Sequence, residues 1–191
     1  MLSSMSAGYD KKPIQTEQHI NVEVSIIRVG REDNVHALIE LYEATERAVY
    51  AYILSIIPNP DIVVDLVQET YLCVRRSAHL YVPTGKPLAW LLSIARKLTK
   101  DYIRVHKYIP VKAEKEVKFD CITEATDRII LSRALGIRSE ERQVLFLHAV
   151  AGLRYREIAA YLSIPISTVQ FRYKRSVAKL KRRLHEVGVS L

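Results

Sequence analysis

Apolar residues recur at three- and four-residue steps along most of the chain, which is the spacing of one face of an α-helix. The first such stretch covers residues 35–57, the second residues 60–80 and the third residues 87–109. Asn59 suits the N-cap of the second helix, and Pro60 suits its first helical position. The segment between the second and third stretches contains proline and glycine and predicts a loop.

The helical periodicity continues in the last third of the chain, where three more helices are predicted. They cover residues 139–151, 153–162 and 167–184, and turns that contain glycine or proline separate them. Ser139 and Ser167 are expected to cap the first and the third of these helices, because a serine oxygen can accept a free N–H of the first turn.

The fold class is expected to be all-α, since no part of the chain predicts a convincing series of strands. Residues 20–29 alternate loosely, which leaves a strand, an added helix and an unfolded segment open. A charged stretch without periodicity separates the helical parts, so we predict two small helical bundles joined by a flexible linker. The predicted limits are an N-terminal extension at 1–33, a first bundle at 34–109, the linker at 110–125 and a second bundle at 126–191.

Charge is distributed unevenly along the chain, whose formal net charge is +8. Residues 31–76 hold four arginines against eight acidic residues, a net charge of −4. Residues 91–118 hold eight basic residues against three acidic ones, +5, and residues 166–191 hold seven against one, +6. This pattern indicates two kinds of surface, with nucleic acid as the first candidate partner and an anionic membrane surface as the second.

Residues that could perform catalysis or bind a metal form no known motif. P-loop, GxSxG and HExxH motifs are absent and the six histidines are dispersed, so no enzyme activity, metal or cofactor is predicted. His148 lies on an apolar helix and is expected to be structural. Cys73 and Cys121 belong to no CxxC pair, which favours the reducing cytoplasm. No apolar run approaches the roughly 20 residues of a membrane span.

Two short helices joined by a tight turn, the second strongly basic, are typical of a helix-turn-helix that binds DNA. On a helical wheel, the inward apolar face of the second helix consists of Val169, Tyr173, Val177, Leu180 and Leu184. The outward residues near its start, where base edges are contacted, are Ser167, Thr168, Phe171, Lys174 and Arg175. Arg172 suits a phosphate contact. Phe171 either touches a thymine methyl group or packs on the preceding helix.

Three stretches, in this order, resemble the extracytoplasmic-function (ECF) sigma factors of bacterial RNA polymerase. Residues 65–72, DLVQETYL, are similar to the acidic DxxQE-type helix of that family. Residues 89–96, AWLLSIAR, followed by Asp101 and Arg104, look like its WLxxIA…D…R helix. Residues 152–169 look like its C-terminal helix-turn-helix. The resemblance covers most of the chain.

The resemblance implies an alternative sigma factor, which binds core RNA polymerase (β′ and β subunits) and directs transcription to particular promoters. The acidic helix would dock on a coiled coil of β′ through Asp65, Gln68 and Glu69. The family opens the −10 promoter element by capturing unstacked bases, and the residues that would contact it here are Tyr81, Arg96, Lys100, Arg104 and Lys107. The C-terminal helix would read the −35 element of promoter DNA through the six residues named above. An anti-sigma factor would hold the protein inactive.

Some positions depart from the family pattern or fall outside it. Family members often carry asparagine at the position of Lys97 and a small or basic residue at that of Phe171, which leaves the promoter sequence open. Trp90 is expected to anchor the core and to touch no DNA. The N-terminal extension is longer than the family requires, and the sequence assigns it no role.

Two alternative classes of protein fit the sequence less well. An autonomous helix-turn-helix regulator accounts for the C-terminal helices, but it leaves the acidic helix and the first basic helix without a role. It also predicts a dimer on palindromic half-sites, for which the sequence offers no dimer seam. A basic membrane-surface protein needs a broad exposed apolar face, whereas the apolar faces here are required for the bundle cores.

Overall fold

A computed structural model describes residues 16–106, 134 and 136–186. In these ranges the chain is helical and contains no strand, so the all-α prediction is confirmed. The α-helices are α1 (Thr16–Glu32), α2 (Val35–Ile56), α3 (Pro60–Ser77), α4 (Pro87–His106), α5 (Ser139–Ala149), α6 (Tyr155–Leu162) and α7 (Ile166–His185). A 3₁₀ turn, Ala78–Leu80, follows α3.

The first four helices share a hydrophobic core in which α2 is central. Leu41, Ile53 and Leu54 of α2 are fully buried, and α4 contributes Leu91 and Leu92. Burial of one such side chain stabilises a fold by about 1.5–3 kcal/mol. The three- and four-residue periodicity of the sequence is therefore confirmed here as core packing.

Asn59 caps the start of α3, as the sequence predicts. Its backbone is extended (φ −136°, ψ 108°), and its side-chain oxygen accepts the N–H of Asp61 at 3.1 Å. Pro60 follows at the first helical position, where its missing N–H costs no helical hydrogen bond.

Ser139 and Ser167 do not cap their helices, so these two predictions are wrong. α5 already begins at Ser139 and α7 at Ile166, which puts both serines inside the first turn. Pro165 occupies the N-cap position of α7 with φ −60° and ψ 147°. Proline suits this position, where the turn ends and the helix begins, because its ring restricts φ and it has no N–H to leave unpaired.

The segment 20–29, for which the sequence left three structures open, lies in helix α1. Val22, Ile26 and Val29 are buried, and α1 packs on α2, α4 and the 3₁₀ turn. The N-terminal segment thus contributes a full helix to the core of the first bundle.

Gly30 lies at the closest approach between α1 and the 3₁₀ turn. A Cβ atom at this position would stand 2.5 Å from the carbonyl carbon of Ala78 and 2.7 Å from the backbone nitrogen of His79. Both are backbone atoms, so neither can rotate away as a flexible side chain would. The close packing of α1 therefore depends on glycine at this position.

We expect Gly30→Ala to lower the free energy of unfolding by about 2 kcal/mol, because the extra methyl group overpacks the contact. In an ordinary helix interior the same change would stabilise by about 1 kcal/mol. Urea unfolding followed by circular dichroism measures the difference. Val24→Ala, an exposed position on the same helix, serves as the control and should stay within about 0.5 kcal/mol. A more stable Gly30→Ala variant would contradict the close approach.

Helices α5, α6 and α7 form the core of the second bundle. Phe146 and Leu147 of α5 are fully buried, as is Ile158 of α6. The inward face predicted for α7 is confirmed, because its members are buried or half-buried: Val169, Tyr173, Val177, Leu180 and Leu184.

The two bundles touch each other through α2 and α5. Arg142 is buried, and its Nε donates to the carbonyl oxygen of Ser55 at 2.7 Å while Nη1 donates to that of Ile137 at 3.1 Å. Ser55 belongs to the last turn of α2, where carbonyl oxygens lack helical partners and favour a cation. The linker at 110–125 lies outside the described residues, so the domain limits stay predictions.

Candidate nucleic-acid and partner interfaces

The outer face of α3 carries the residues that the sequence assigned to partner binding. Asp65 and Gln68 are exposed. Glu69 is half-buried and forms an ion pair with Arg76, with 2.7 Å between its Oε1 and the arginine Nη2. Asp65 keeps an exposed negative charge on this face, whereas the charge of Glu69 is partly neutralised by Arg76 of the same helix.

Two exposed apolar side chains on α3 were missed as candidate site residues. Leu72 is 52% exposed and Val64 is 42% exposed, and both lie beside the polar pair Asp65 and Gln68. Leu72 follows Gln68 by four residues, so the two share one side of the helix. A helical wheel of α3 could have identified Leu72 as a candidate, because an apolar residue on the solvent side of an amphipathic helix does not pack in the core.

The basic face of α4 is present but only partly free. Lys100 is exposed, and Arg104 is exposed and forms an ion pair with Asp101 at 2.9 Å. Exposed pairs of this kind contribute about 0–1 kcal/mol, so Arg104 can exchange its partner at little cost. Lys107 lies outside the described residues.

Arg96 is half-buried and contacts the second bundle. Its Nη1 donates to the carbonyl oxygen of Tyr161 at 3.0 Å, and its guanidinium carbon lies 5.6 Å from the centre of the Tyr161 ring. The Tyr161 hydroxyl in turn donates to the carbonyl oxygen of Leu92 at 2.8 Å. Burial raises the pKa of this hydroxyl, so it remains protonated and able to donate. The end of α6 therefore covers part of the basic face of α4.

Tyr81 is buried in this conformation and offers no open stacking surface. Its hydroxyl donates to the carboxylate of Glu23 on α1 at 2.6 Å, and its ring packs against Trp90 with 5.0 Å between ring centres. Burial, together with the nearby Glu23 carboxylate, raises the pKa of Tyr81 to about 12. The large apolar side chains exposed at this loop are instead Leu80 and Val82, each 69% exposed.

The turn of the helix-turn-helix is held by local hydrogen bonds and by one left-handed residue. Ser163 follows α6 with φ 57° and ψ 45°. In the turn, the N–H of Ile164 donates to the carbonyl oxygen of Ala159 at 3.1 Å. At the other end of α6, the N–H of Arg154 donates to the carboxylate of Glu157 at 2.7 Å.

His148 lies under this motif and has the surroundings of a structural residue. Its Nδ1 lies 2.8 Å from the carbonyl oxygen of Leu153, and its ring packs 4.5 Å from that of Tyr155 and 4.7 Å from that of Tyr173. Burial raises the pKa of both tyrosines. This aromatic cluster joins α5 to the first residues of α6 and to the middle of α7.

The outward face of α7 is built mostly as the sequence predicts. Ser167 and Lys174 are exposed, and Thr168 and Arg172 are half-buried. Phe171 is 62% exposed, so the alternative in which it packs on the preceding helix is wrong.

Arg175 is exposed, but its side chain forms an ion pair with another helix of the protein. Its Nε lies 3.1 Å from Oε1 of the buried Glu141, whose Oε2 accepts Lys179 at 2.5 Å. Arg175 therefore lies at the flank of α7 that faces α5. Sequence reasoning had no means to find this pair, because its partners are more than 30 residues apart and belong to different helices.

Within the described ranges, no group of histidine, cysteine, aspartate and glutamate side chains could hold a metal ion. None of the helices placed in the structure is long and apolar enough to cross a membrane.

Comparison with protein families gives two matches on this chain, in the order of the two bundles. The family model Sigma-70 region 2 matches residues 41–108, and the model Sigma-70, region 4 matches residues 129–180. Together they cover well over half of the chain. The first contains most of α2 and all of α3 and α4, and the second contains α5, α6 and most of α7.

Curated relatives match over nearly their whole length. The ECF RNA polymerase sigma factor SigK of Mycobacterium sp. (strain KMS) is 26% identical over 174 residues, covering 83% of this chain and 89% of the relative. The RNA polymerase sigma factor CarQ of Myxococcus xanthus is 26% identical over 171 residues, covering 86% and 97%.

Two solved structures share the fold. The sigma factor RpoE from Bartonella quintana, in complex with the anti-sigma factor NepR, has a TM-score of 0.61 at 19% identity and covers 79% of this chain and 98% of its own. CnrH in complex with the cytosolic domain of CnrY has a TM-score of 0.62 at 23% identity, covering 87% and 98%.

Two bundles with an acidic helix, a basic helix and a C-terminal helix-turn-helix, matched by both sigma-70 models, define a sigma-70-type transcription factor. Within that class, several of the curated relatives, SigK among them, are named as ECF RNA polymerase sigma factors. The chain belongs to this ECF group of sigma factors.

Proposed function

We propose that this chain is an alternative sigma factor, which binds core RNA polymerase and directs initiation at particular promoters. The observation that carries the proposal is one acidic exposed face on α3 and two basic helices, α4 and α7, within the regions that match the two sigma-70 models. An autonomous regulator has no use for the first two of these surfaces. In this role the chain is an initiation factor, not an enzyme, and acts in the cytoplasm, where polymerase and DNA meet.

The face of α3 is the proposed docking surface for the β′ subunit of the core, with further contacts to β. Asp65 and Gln68 supply exposed polar groups and Glu69 lies beside them. Leu72 and Val64 lie on either side of Gln68 and add exposed apolar surface to this face. Specific protein contacts combine apolar and polar groups in this way.

The basic face of α4 and the loop at 81–86 are the proposed contacts to the −10 element. Lys100 and Arg104 would hold phosphates, and Arg96 would join them once it leaves Tyr161. Opening the duplex requires unstacking that costs a few kcal/mol per step. Phosphate contacts and pockets that match unstacked bases would offset this cost.

Helix α7 is the proposed reader of the −35 element in the major groove. Ser167, Phe171 and Lys174 are exposed near its start, where side chains of a recognition helix reach base edges. The exposed Phe171 ring suits contact with a thymine methyl group. Thr168, Arg172 and Arg175 lie toward the flanks, where phosphates are held.

An anti-sigma factor is the proposed inhibitor of this chain. The two solved sigma factors of the same fold are each in complex with a second protein, NepR in one case and the cytosolic domain of CnrY in the other. A partner that covers the faces of α3 and α4 would block both core and promoter at once.

Run-off transcription tests the proposed function directly. The purified chain is mixed with sigma-free bacterial core polymerase and fragments of the source genome at moderate salt. Discrete transcripts that require both components support the proposal. Duplex DNA binding without any core binding would overturn it in favour of an autonomous regulator.

The docking face gives a second, sharper test. We expect the double change Asp65→Ala and Gln68→Ala to weaken core binding at least about tenfold, the effect of losing roughly 1.4 kcal/mol. Fluorescence anisotropy of the labelled chain titrated with core measures it. Glu43→Ala is the control, because it removes an exposed acid from α2 and leaves α3 unchanged. Equal affinities for the two variants would remove α3 as the docking surface.

A further inference from the structure

Glu23 of α1 joins the N-terminal helix to the loop at 81–86. One oxygen, Oε1, accepts the Tyr81 hydroxyl at 2.6 Å and the N–H of Gly85 at 3.2 Å. These donors lie 58 and 62 residues further along the chain. A single carboxylate oxygen thus holds both ends of the loop.

The Tyr81 side chain is the second fixed point of the loop. Its ring packs on Trp90 of α4, and its hydroxyl also interacts with the side chain and the backbone of Thr84. Gly85 has φ +68°, a left-handed conformation that favours glycine. The loop therefore folds over the pair Tyr81 and Glu23, and Leu80 and Val82 are left exposed on either side of the tyrosine.

Helix α1 is a rigid support for this carboxylate. Val22 precedes Glu23 and is buried, and Ile26 is buried one turn later. The close contact of Gly30 with Ala78 brings α1 against the chain just before the loop. Because the Tyr81 hydroxyl stays protonated well above neutral pH, it remains a donor to Glu23 under ordinary conditions.

We propose that Glu23 is a positioning residue for promoter opening, through which α1 sets the shape of the loop that captures the −10 strand. The inference rests on the proposed function and gives the N-terminal helix a role that the sequence did not assign. A loop that already has its binding shape loses less conformational entropy when it captures a base. Glu23 acts through Tyr81 and Gly85 and needs no contact with DNA.

The test measures how the chain, bound to core polymerase, binds a labelled single-stranded −10 oligonucleotide from a promoter found by run-off transcription. Glu23→Ala is expected to weaken this binding about tenfold, the size of one lost charge-assisted hydrogen bond. It should also reduce the preference for the correct −10 sequence over a single-base variant. Glu23→Gln should stay within about threefold, because its amide oxygen can still accept from both donors.

Glu40→Ala is the matched control. Glu40 of α2 accepts hydrogen bonds from Ser25 and Arg28 of α1, so its loss weakens the same helix contact without touching the loop. It should bind the oligonucleotide as the unchanged chain does. Affinity for core and the thermal midpoint are recorded for every variant.

Three results would overturn the inference. In the first, Glu23→Ala binds the oligonucleotide with unchanged affinity and base preference. In the second, Glu40→Ala loses as much affinity as Glu23→Ala, so that only the general attachment of α1 matters. In the third, run-off transcription with the unchanged chain and core yields no promoter, and the proposed function falls together with the inference. The first two results leave the proposed function intact.

Discussion

Replacing Arg142 with alanine is expected to lower the free energy of unfolding by about 3 kcal/mol. The arginine is only 4% exposed, and it donates to the carbonyl oxygens of Ser55 and Ile137. Alanine would leave these buried acceptors without their donor, and each such loss costs about 1–3 kcal/mol. For a chain of this size the melting midpoint should fall by about 6–12 °C.

Scanning calorimetry and urea unfolding measure this loss, with Arg156→Ala as the control. Arg156 is an exposed arginine of α6, so its replacement should change the stability by no more than about 0.5 kcal/mol. The contact of Arg142 joins α2 to α5, so the variant should also expose this interface to hydrogen exchange. Equal stability of the two variants would mean that the bundles do not depend on Arg142.

Replacing Glu141 with lysine is expected to destabilise the second bundle by about 3–5 kcal/mol. The carboxylate is buried and lies 2.5 Å from Lys179 and 3.1 Å from Arg175. A lysine there would place a third positive group, at a buried position, next to Arg175 and Lys179, which are only partly exposed to water. Loss of α7 from its place on α5 should follow, and with it the binding of duplex −35 DNA.

Glu140→Lys is a closely matched control for this change. It makes the same charge reversal one residue earlier in the first turn of α5, but the side chain is exposed. The interaction with the helix dipole is alike at both positions, so this variant should lose no more than about 1 kcal/mol. Urea unfolding compares the free energies of unfolding of the two variants. Similar losses would show that the ion pairs of the buried Glu141 contribute little to stability.

Sequence patterns predicted the helices from α2 to α7 well because each one buries an apolar stripe, whereas for α1 they left three structures open. The residues of α7 that point inward were correct, and so was the Asn59 cap. The predicted caps at Ser139 and Ser167 were wrong, because the position of an N-cap depends on where the preceding turn ends. At α7, Pro165 takes that place.

Contacts between distant parts of the chain could not be predicted from local spacing. Arg96 fits a DNA contact by sequence, yet it bonds to Tyr161, 65 residues further on. Arg175 fits the reading face but pairs with Glu141. Tyr81 fits an exposed loop aromatic but is buried against α1. In each case tertiary packing determines which side chains are available, and local sequence spacing does not contain this information.

The hydrogen bonds that join Arg96 and Leu92 to Tyr161 hold α6 against this part of α4. Any ligand that binds the same part of α4 must therefore compete with α6. Such a ligand binds only the fraction of molecules in which the two helices have separated, so its apparent affinity falls in proportion to that fraction. If about one molecule in ten is open, the apparent dissociation constant is about tenfold higher than the intrinsic one. A partner that separates the bundles restores the intrinsic affinity of the ligand for α4 without contacting the ligand. The two binding surfaces would then show positive cooperativity although they are not in contact.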